Sequence, residues 1–207
     1  MKKYELTAEF IEQWGKKLFR IKALISFGSV EAGELGGYVE KEDNLAQDGD
    51  AWVCDDAWVY GNARVYGNAW VYGNARVYGN AWVYGNAWVY GNAWVYGNAW
   101  VYGNAWVCGN AEVCGNAEVC GNADYLLIGR IGSRFSFTTF FKNKDKGITV
   151  SCGCFLGTIA EFRAKVTDTH GNNKHAKMYN LAADMAELQI LGEEHFDKLN
   201  TNKSEPF

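Results

Sequence analysis

From Ala51 to Asn122 the chain repeats a six-residue unit, Ala-Trp-Val-Tyr-Gly-Asn with few variations, twelve times over 72 residues. A period this strict constrains the fold before any other feature is weighed. Within a unit the residues up to Tyr or Cys alternate as in a strand, and Val, Trp and Tyr favour extended backbone. Gly-Asn then interrupts, with two residues that tolerate the positive φ a sharp corner demands. A flat cross-β stack of these uncharged, β-prone segments is the rival arrangement. It would leave the regular Gly-Asn corner without a purpose.

A small residue two positions before an aliphatic one, repeated every six, resembles the hexapeptide-repeat proteins. The resemblance covers residues 51–123. It implies a left-handed parallel β-helix, a known departure from right-handed crossovers. Three units would form one triangular coil, so twelve give about four coils, with neighbours about 4.8 Å apart. Size then assigns inside and outside. Val59, Val65 and Val71 point in, with Ala57 and Ala63 near the corners, while Trp and Tyr must point out.

Stacking residues eighteen apart separates the three faces. One carries Trp52, Trp70, Trp88 and Trp106, with Tyr72 and Tyr90 alongside. The second carries Trp58, Arg76, Trp94 and Glu112, and the third Arg64, Trp82, Trp100 and Glu118. The first is therefore aromatic throughout, and the other two are broken by charge. In the last coil Cys108, Cys114 and Cys120 replace Tyr on three different sides, too far apart to bridge one another.

Residues 1–50 read as an N-terminal cap, which an open solenoid end requires. Thr7 to Trp14 suggests a short helix with Thr7 as N-cap. Leu18 to Leu24 alternates like a strand, and Tyr38 to Leu45 looks like an irregular lead-in. Leu45 and Val53 are eight apart, so the register slips before the regular repeat begins. The run Gly33-Glu34-Leu35-Gly36-Gly37-Tyr38-Val39-Glu40, followed by Asp43-Asn44-Leu45 and Gly49-Asp50-Ala51-Trp52-Val53, resembles a hexapeptide-repeat family common in phages and prophages. That resemblance implies a phage or bacterial protein of structural type and brings no catalytic residues with it.

Residues 124–207 read as a small α+β domain, so the chain as a whole is mainly β. Tyr125–Ile131, Phe135–Phe141 and Ile148–Cys152 are strand candidates, with a turn over Lys142–Gly147. Thr158 followed three later by Glu161 forms a capping box that opens a helix, and Gly171 ends it. A second helix is expected from about His175 to Ile190, with Met178, Leu181, Met185 and Leu188 facing the sheet. Asn200 to Phe207 are expected to fray.

Chemistry-bearing residues are sparse. Hexapeptide helices are best known as acyltransferases, whose catalytic His lies near a coil. This chain has none between residues 51 and 123, for its three histidines are His170, His175 and His195. The acyltransferase alternative therefore rests on fold analogy alone. Cys152 and Cys154 with His170 and His175 are the right ligand types for zinc. They equally suit a packed core, and no metal or other cofactor is expected. Residues 124–177 hold nine Lys/Arg against four Asp/Glu. Arg130, Arg134, Lys142 and Lys144 are the candidate phosphate or ligand contacts there.

The net charge of −4 argues against a broadly basic nucleic-acid surface. No apolar run suggests a membrane span or signal peptide, so a cytoplasmic location with six reduced cysteines is expected. The reading is a non-enzymatic structural or binding protein. Its partner is expected to be a second copy (dimer or trimer) or another protein, met through the aromatic face of Trp52, Trp70, Trp88, Trp106, Tyr72 and Tyr90. The alternative is capture of a small nucleotide or carbohydrate.

Overall fold

The computed structural model describes residues 1–201. The chain divides into two compact units, Met1–Asn122 and the remainder from Ala123 onward.

The first unit opens with a hairpin of β1 (Tyr4–Gln13) and β2 (Lys16–Ala23). The helix expected over Thr7–Trp14 is absent, because that stretch pairs antiparallel with β2, Phe10 opposite Phe19 and Ile11 opposite Leu18. Trp14 and Gly15 make the two-residue turn, with φ of 51° and 73°. That conformation suits the right-handed twist of a hairpin, and the pairing overrides any local helical preference. The strand expected at Leu18–Leu24 is present as part of β2.

β3 (Leu35–Val39) pairs antiparallel with β2 and then parallel with the second of the repeat strands, Trp58–Val59, Val39 opposite Val59. It is thus the hinge between cap and solenoid. Twelve two-residue strands follow, β4 (Trp52–Val53) through β15 (Glu118–Val119). They stack in parallel on three faces, with registers such as Val71 with Val89 and Val89 with Val107. Leu45 bridges to Val65. Val39, Leu45 and Val53 therefore form a turn of their own, and the β-solenoid has about five turns rather than the four read from the strict repeat. The eight-residue spacing from Leu45 to Val53 is absorbed at one widened corner. There the Lys3 ammonium donates to the carbonyls of Asp48, Gly49 and Ala51 at 3.3, 3.2 and 2.9 Å. Burial pulls this lysine down to about 8, as desolvation does for any buried cation.

Each repeat contributes a fully buried Ala and a fully buried Val, for example Ala87 and Val89. The backbone of one turn bonds to the next, as in Trp70 N to Ala87 O at 2.9 Å and Tyr72 N to Val89 O at 3.0 Å. The two corner residues have separate jobs. The first takes positive φ, near 71° at Gly85 and 55° at Asp55, which stands where the other units have glycine. The second, asparagine, does not, and its side chain instead forms an inter-turn ladder, Asn68 to Asn86 at 3.1 Å and Asn86 to Asn104 at 3.2 Å.

The second unit is an antiparallel sheet of β16 (Tyr125–Ile131), β17 (Ser136–Lys142), β18 (Ile148–Cys152) and β19 (Phe155–Thr158). The first three lie close to the expected strands; β19 is additional. Helix α1 (Ile159–His170) starts at the expected capping box, Glu161 N to Thr158 Oγ1 at 3.2 Å and Thr158 N to Glu161 Oε2 at 2.8 Å. Helix α2 (Lys174–Leu191) is rotated from expectation. Its buried face is Ala176, Tyr179, Ala182, Ala183 and Ala186, while Met178, Leu181, Met185 and Leu188 are exposed by 39 to 63 %. Small residues let the helix approach a core already filled by Phe140 and Phe162. Arg163 pins the rotation, reaching Asp184 and Glu187 at 2.7 Å each. Helix α3 (Glu193–Thr201) contains Asn200 and Thr201 of the segment expected to fray, and 202–207 lie outside the described residues.

Candidate functional site

The solenoid of the first unit carries columns of stacked rings. Parallel registry places like rings above one another at the turn spacing. Tyr72 and Tyr90 stack with centroids 4.9 Å apart and planes 2° off parallel, and Trp88 and Trp106 stack at 5.4 Å and 14°. Tyr72 also meets Trp88 edge-on at 6.1 Å, the T-shaped geometry ring quadrupoles favour. Trp88 and Trp106 remain 39 % and 48 % exposed, and Trp70 is half-buried.

Trp52 departs from the expected exposed column. It is fully buried, with Tyr4 and Phe27 edge-on at 6.3 and 5.3 Å. Gly36 makes the fit possible, since a Cβ there would lie 2.7 Å from the indole. The cap thus covers the first indole, and the accessible face begins at Trp70. At that boundary Gly28, Ser29, Asp50, Asn68 and Asn86 surround Trp70 and Trp88 in a cleft of about 410 Å³.

The other two faces are less interrupted than their charges suggest. The Arg76 guanidinium lies 4.3 Å from the Trp58 ring and 5.2 Å from that of Trp94, inside the column. This cation–π stack, with Trp14 of the hairpin at 5.7 Å, fills that face. On the third face Trp82 and Trp100 stack at 5.7 Å and 15°, and Trp82 is 37 % exposed. Trp82 and Tyr66 border a cleft of about 390 Å³ that Glu42, Asp43, Gln47 and Arg64 also line. Sequence reasoning missed Trp82 and Trp100 because it counted Arg64 and Glu118 as breaks. The signal was present in the two adjacent Trp of that column.

The six cysteines are free thiols. Their environments differ enough to separate their reactivities. Cys114 is fully buried, and burial raises its thiol. Burial, helped by the nearby Asp55 and Glu34, pushes Cys54 up to about 12. Cys120 and Cys154 are exposed. Since the thiolate is the reactive form, a mass-resolved alkylation time course on native protein should label Cys120 and Cys154 first. Cys114 should label only on unfolding, and early labelling of Cys114 would contradict its place beneath the Tyr column.

The four basic candidates of the second unit do not converge. Lys142 pairs with Asp124 at 3.1 Å. Arg130 and Lys144 border none of the clefts described. Arg134 does, in a cleft of about 200 Å³ that also brings together Cys152, Cys154 and His170. The His175 ring lies 5.8 Å from that of His170. Among the described residues no group of three or more His, Cys, Asp or Glu is arranged to hold a metal ion. No helix of the described residues is long and apolar enough to cross a membrane.

No curated protein matches the chain. The YdcK beta solenoid repeat model matches four successive overlapping stretches, residues 57–73, 69–85, 81–97 and 93–109. These spans fall within the stacked turns, and the central region of the chain is a β-solenoid repeat similar to that family's.

Proposed function

We propose that this protein is a non-enzymatic binding scaffold, a rigid β-solenoid that presents stacked aromatic rings to a partner. The carrying observation is the pair Trp88 and Trp106, flat, stacked and still 39 % and 48 % exposed. Exposed indoles on a preorganised surface lose little conformational freedom on binding, and Trp and Tyr dominate binding hot spots. The first partner to test is a second copy, as a dimer or trimer, since closed homo-oligomers are the commonest assemblies. We take the winding to be left-handed and of the hexapeptide-repeat type, and the setting to be the cytoplasm of a bacterium or phage-infected cell. The corner asparagines and aliphatic interior support the first; the resemblance of the lead-in segment supports the second.

A second reading, capture of a carbohydrate, is favoured by the cleft in which Asp50, Asn68 and Asn86 rim the Trp70 and Trp88 indoles. One double variant, Trp88→Ser with Trp106→Ser, separates the readings. Light scattering should show a multimer reduced to monomer, with the melting transition moved by only a few degrees. If the parent protein is already a monomer and the variant simply melts early, the rings are structural and the interaction face is wrong. Saccharide-dependent quenching of the parent's indole fluorescence, lost in the variant, would select the second reading.

A further inference from the structure

The second unit holds a cleft that lies outside the aromatic scaffold. Its cavity is about 200 Å³. Three of the side chains around it are basic or ionisable to cations: Arg134, Lys165 and His170. None of the residues lining it carries a carboxylate. Lys165 itself meets Asp168 at 3.2 Å, with both side chains more than 60 % exposed. An ion pair so open to water is weak and readily exchanged.

The rest of the lining is largely apolar and braced. Phe162 is buried and packs edge-on against Phe140 and Tyr179, at 5.8 and 5.6 Å with planes at 90° and 88°. Phe155 leans on Phe162 at 5.6 Å. The Tyr179 ring is covered on one side by His170, 5.8 Å away and 27° from parallel. Its hydroxyl occupies a place that only glycine at 132 leaves free, for a Cβ there would lie 1.9 Å from the phenol oxygen. Cys152 anchors the floor, its sulfur accepting from Thr138 Oγ1 at 3.2 Å. The neighbouring His175 Nδ1 is buried without a hydrogen-bond partner among the described residues. The Arg134 guanidinium passes close to Gly153, 3.5 Å from where a Cβ would lie.

An apolar lining shared with a cluster of basic side chains selects a ligand with the complementary halves. A cavity of about 150 Å³ admits a benzene ring, so this one has room for a single ring with an acidic group. Arg is the side chain best suited to a carboxylate or phosphate fork. We propose that this cleft binds a small aromatic acid, its anionic group held between Arg134, Lys165 and His170 and its ring packed among Phe155, Phe162 and Tyr179. The site is independent of the solenoid faces and does not rest on the scaffold reading.

Isothermal titration of the full chain tests it with benzoate and phenyl phosphate. Benzyl alcohol and inorganic phosphate serve as the separate halves of the ligand. At least one ring acid should bind about tenfold or more tightly than either half. Arg134→Gln and Lys165→Gln should each weaken it by a similar factor, with far-UV spectra and melting unchanged. Arg130→Gln, which alters charge on the same unit outside the cleft, should leave it as it was. The tighter of the two ring acids identifies the anionic group. The proposal is overturned if neither ring acid binds, if inorganic phosphate binds as tightly as phenyl phosphate, or if Arg130→Gln weakens binding as much as Arg134→Gln.

Discussion

Val89→Asp is expected to abolish cooperative folding of the Met1–Asn122 unit. Val89 has no exposed surface and stands in register between Val71 and Val107. The side chains around it are those of the Ala and Val columns, which offer neither a cation nor a donor. A carboxylate placed there must remain buried without a partner or force the turns apart. The cost is about 4 kcal/mol or more, a large fraction of the stability of an ordinary domain. The readout is unusually clean, because all nine tryptophans lie in the first unit, at or before Trp106. Indole fluorescence therefore follows that unit alone. Val89→Thr, similar in shape but carrying one hydroxyl, should melt between the parent and the aspartate variant. A Val89→Asp protein that melts with the parent's fluorescence transition would mean that the Val column does not face the interior.

Such a prediction could be made from sequence because the period of six fixes which residues share a column. Face membership, the inward Ala and Val and the outward aromatics all follow from counting. What lay outside the period was harder to read. Trp52 shares its column with Trp70, yet the hairpin of β1 and β2 covers only the first of the two. No local signal at Trp52 announces Tyr4 and Phe27, which arrive from far along the chain. The Thr7–Trp14 segment illustrates the same limit, since its strand depends on a partner beyond the Trp14-Gly15 turn. On α2 the apolar residues form two stripes, one of Met and Leu and one of Ala and Tyr. Hydrophobicity favours the larger side chains for the core. Packing around Phe140 and Phe162 needs the smaller ones, and only the Arg163 contacts to Asp184 and Glu187 reveal the rotation. The basic candidates failed differently. Arg134, Lys165 and His170 are dispersed in sequence, and the sheet and α1 bring them to one cleft. Lys142, by contrast, is drawn away by Asp124.

Gly85→Val should destabilise the first unit far more than Asn86→Ala, although the two residues are neighbours on the same corner. Gly85 has φ of 71°, a conformation that costs a β-branched residue roughly 1–3 kcal/mol. A second penalty comes from the turn above. A Cβ at Gly85 would lie 3.0 Å from Gly103 N and 3.3 Å from Gly103 O. Gly103 O is already held at 2.8 Å by Asn86 N, so that backbone has little freedom to withdraw. Valine at this corner must then push adjacent turns away from each other, and crowding of this kind typically costs a further ~1–3 kcal/mol. The combined loss is about 3 kcal/mol or more. Asn86→Ala instead removes an exposed side chain that links Asn68 below to Asn104 above. Water can replace those bonds, so the loss should be about 1 kcal/mol. Urea titration followed by tryptophan fluorescence gives both values on the same unit. If the two variants lost equal stability, positive φ and close stacking at the glycine would not be what holds the corner. The asparagine ladder would then have to carry the turn-to-turn register by itself.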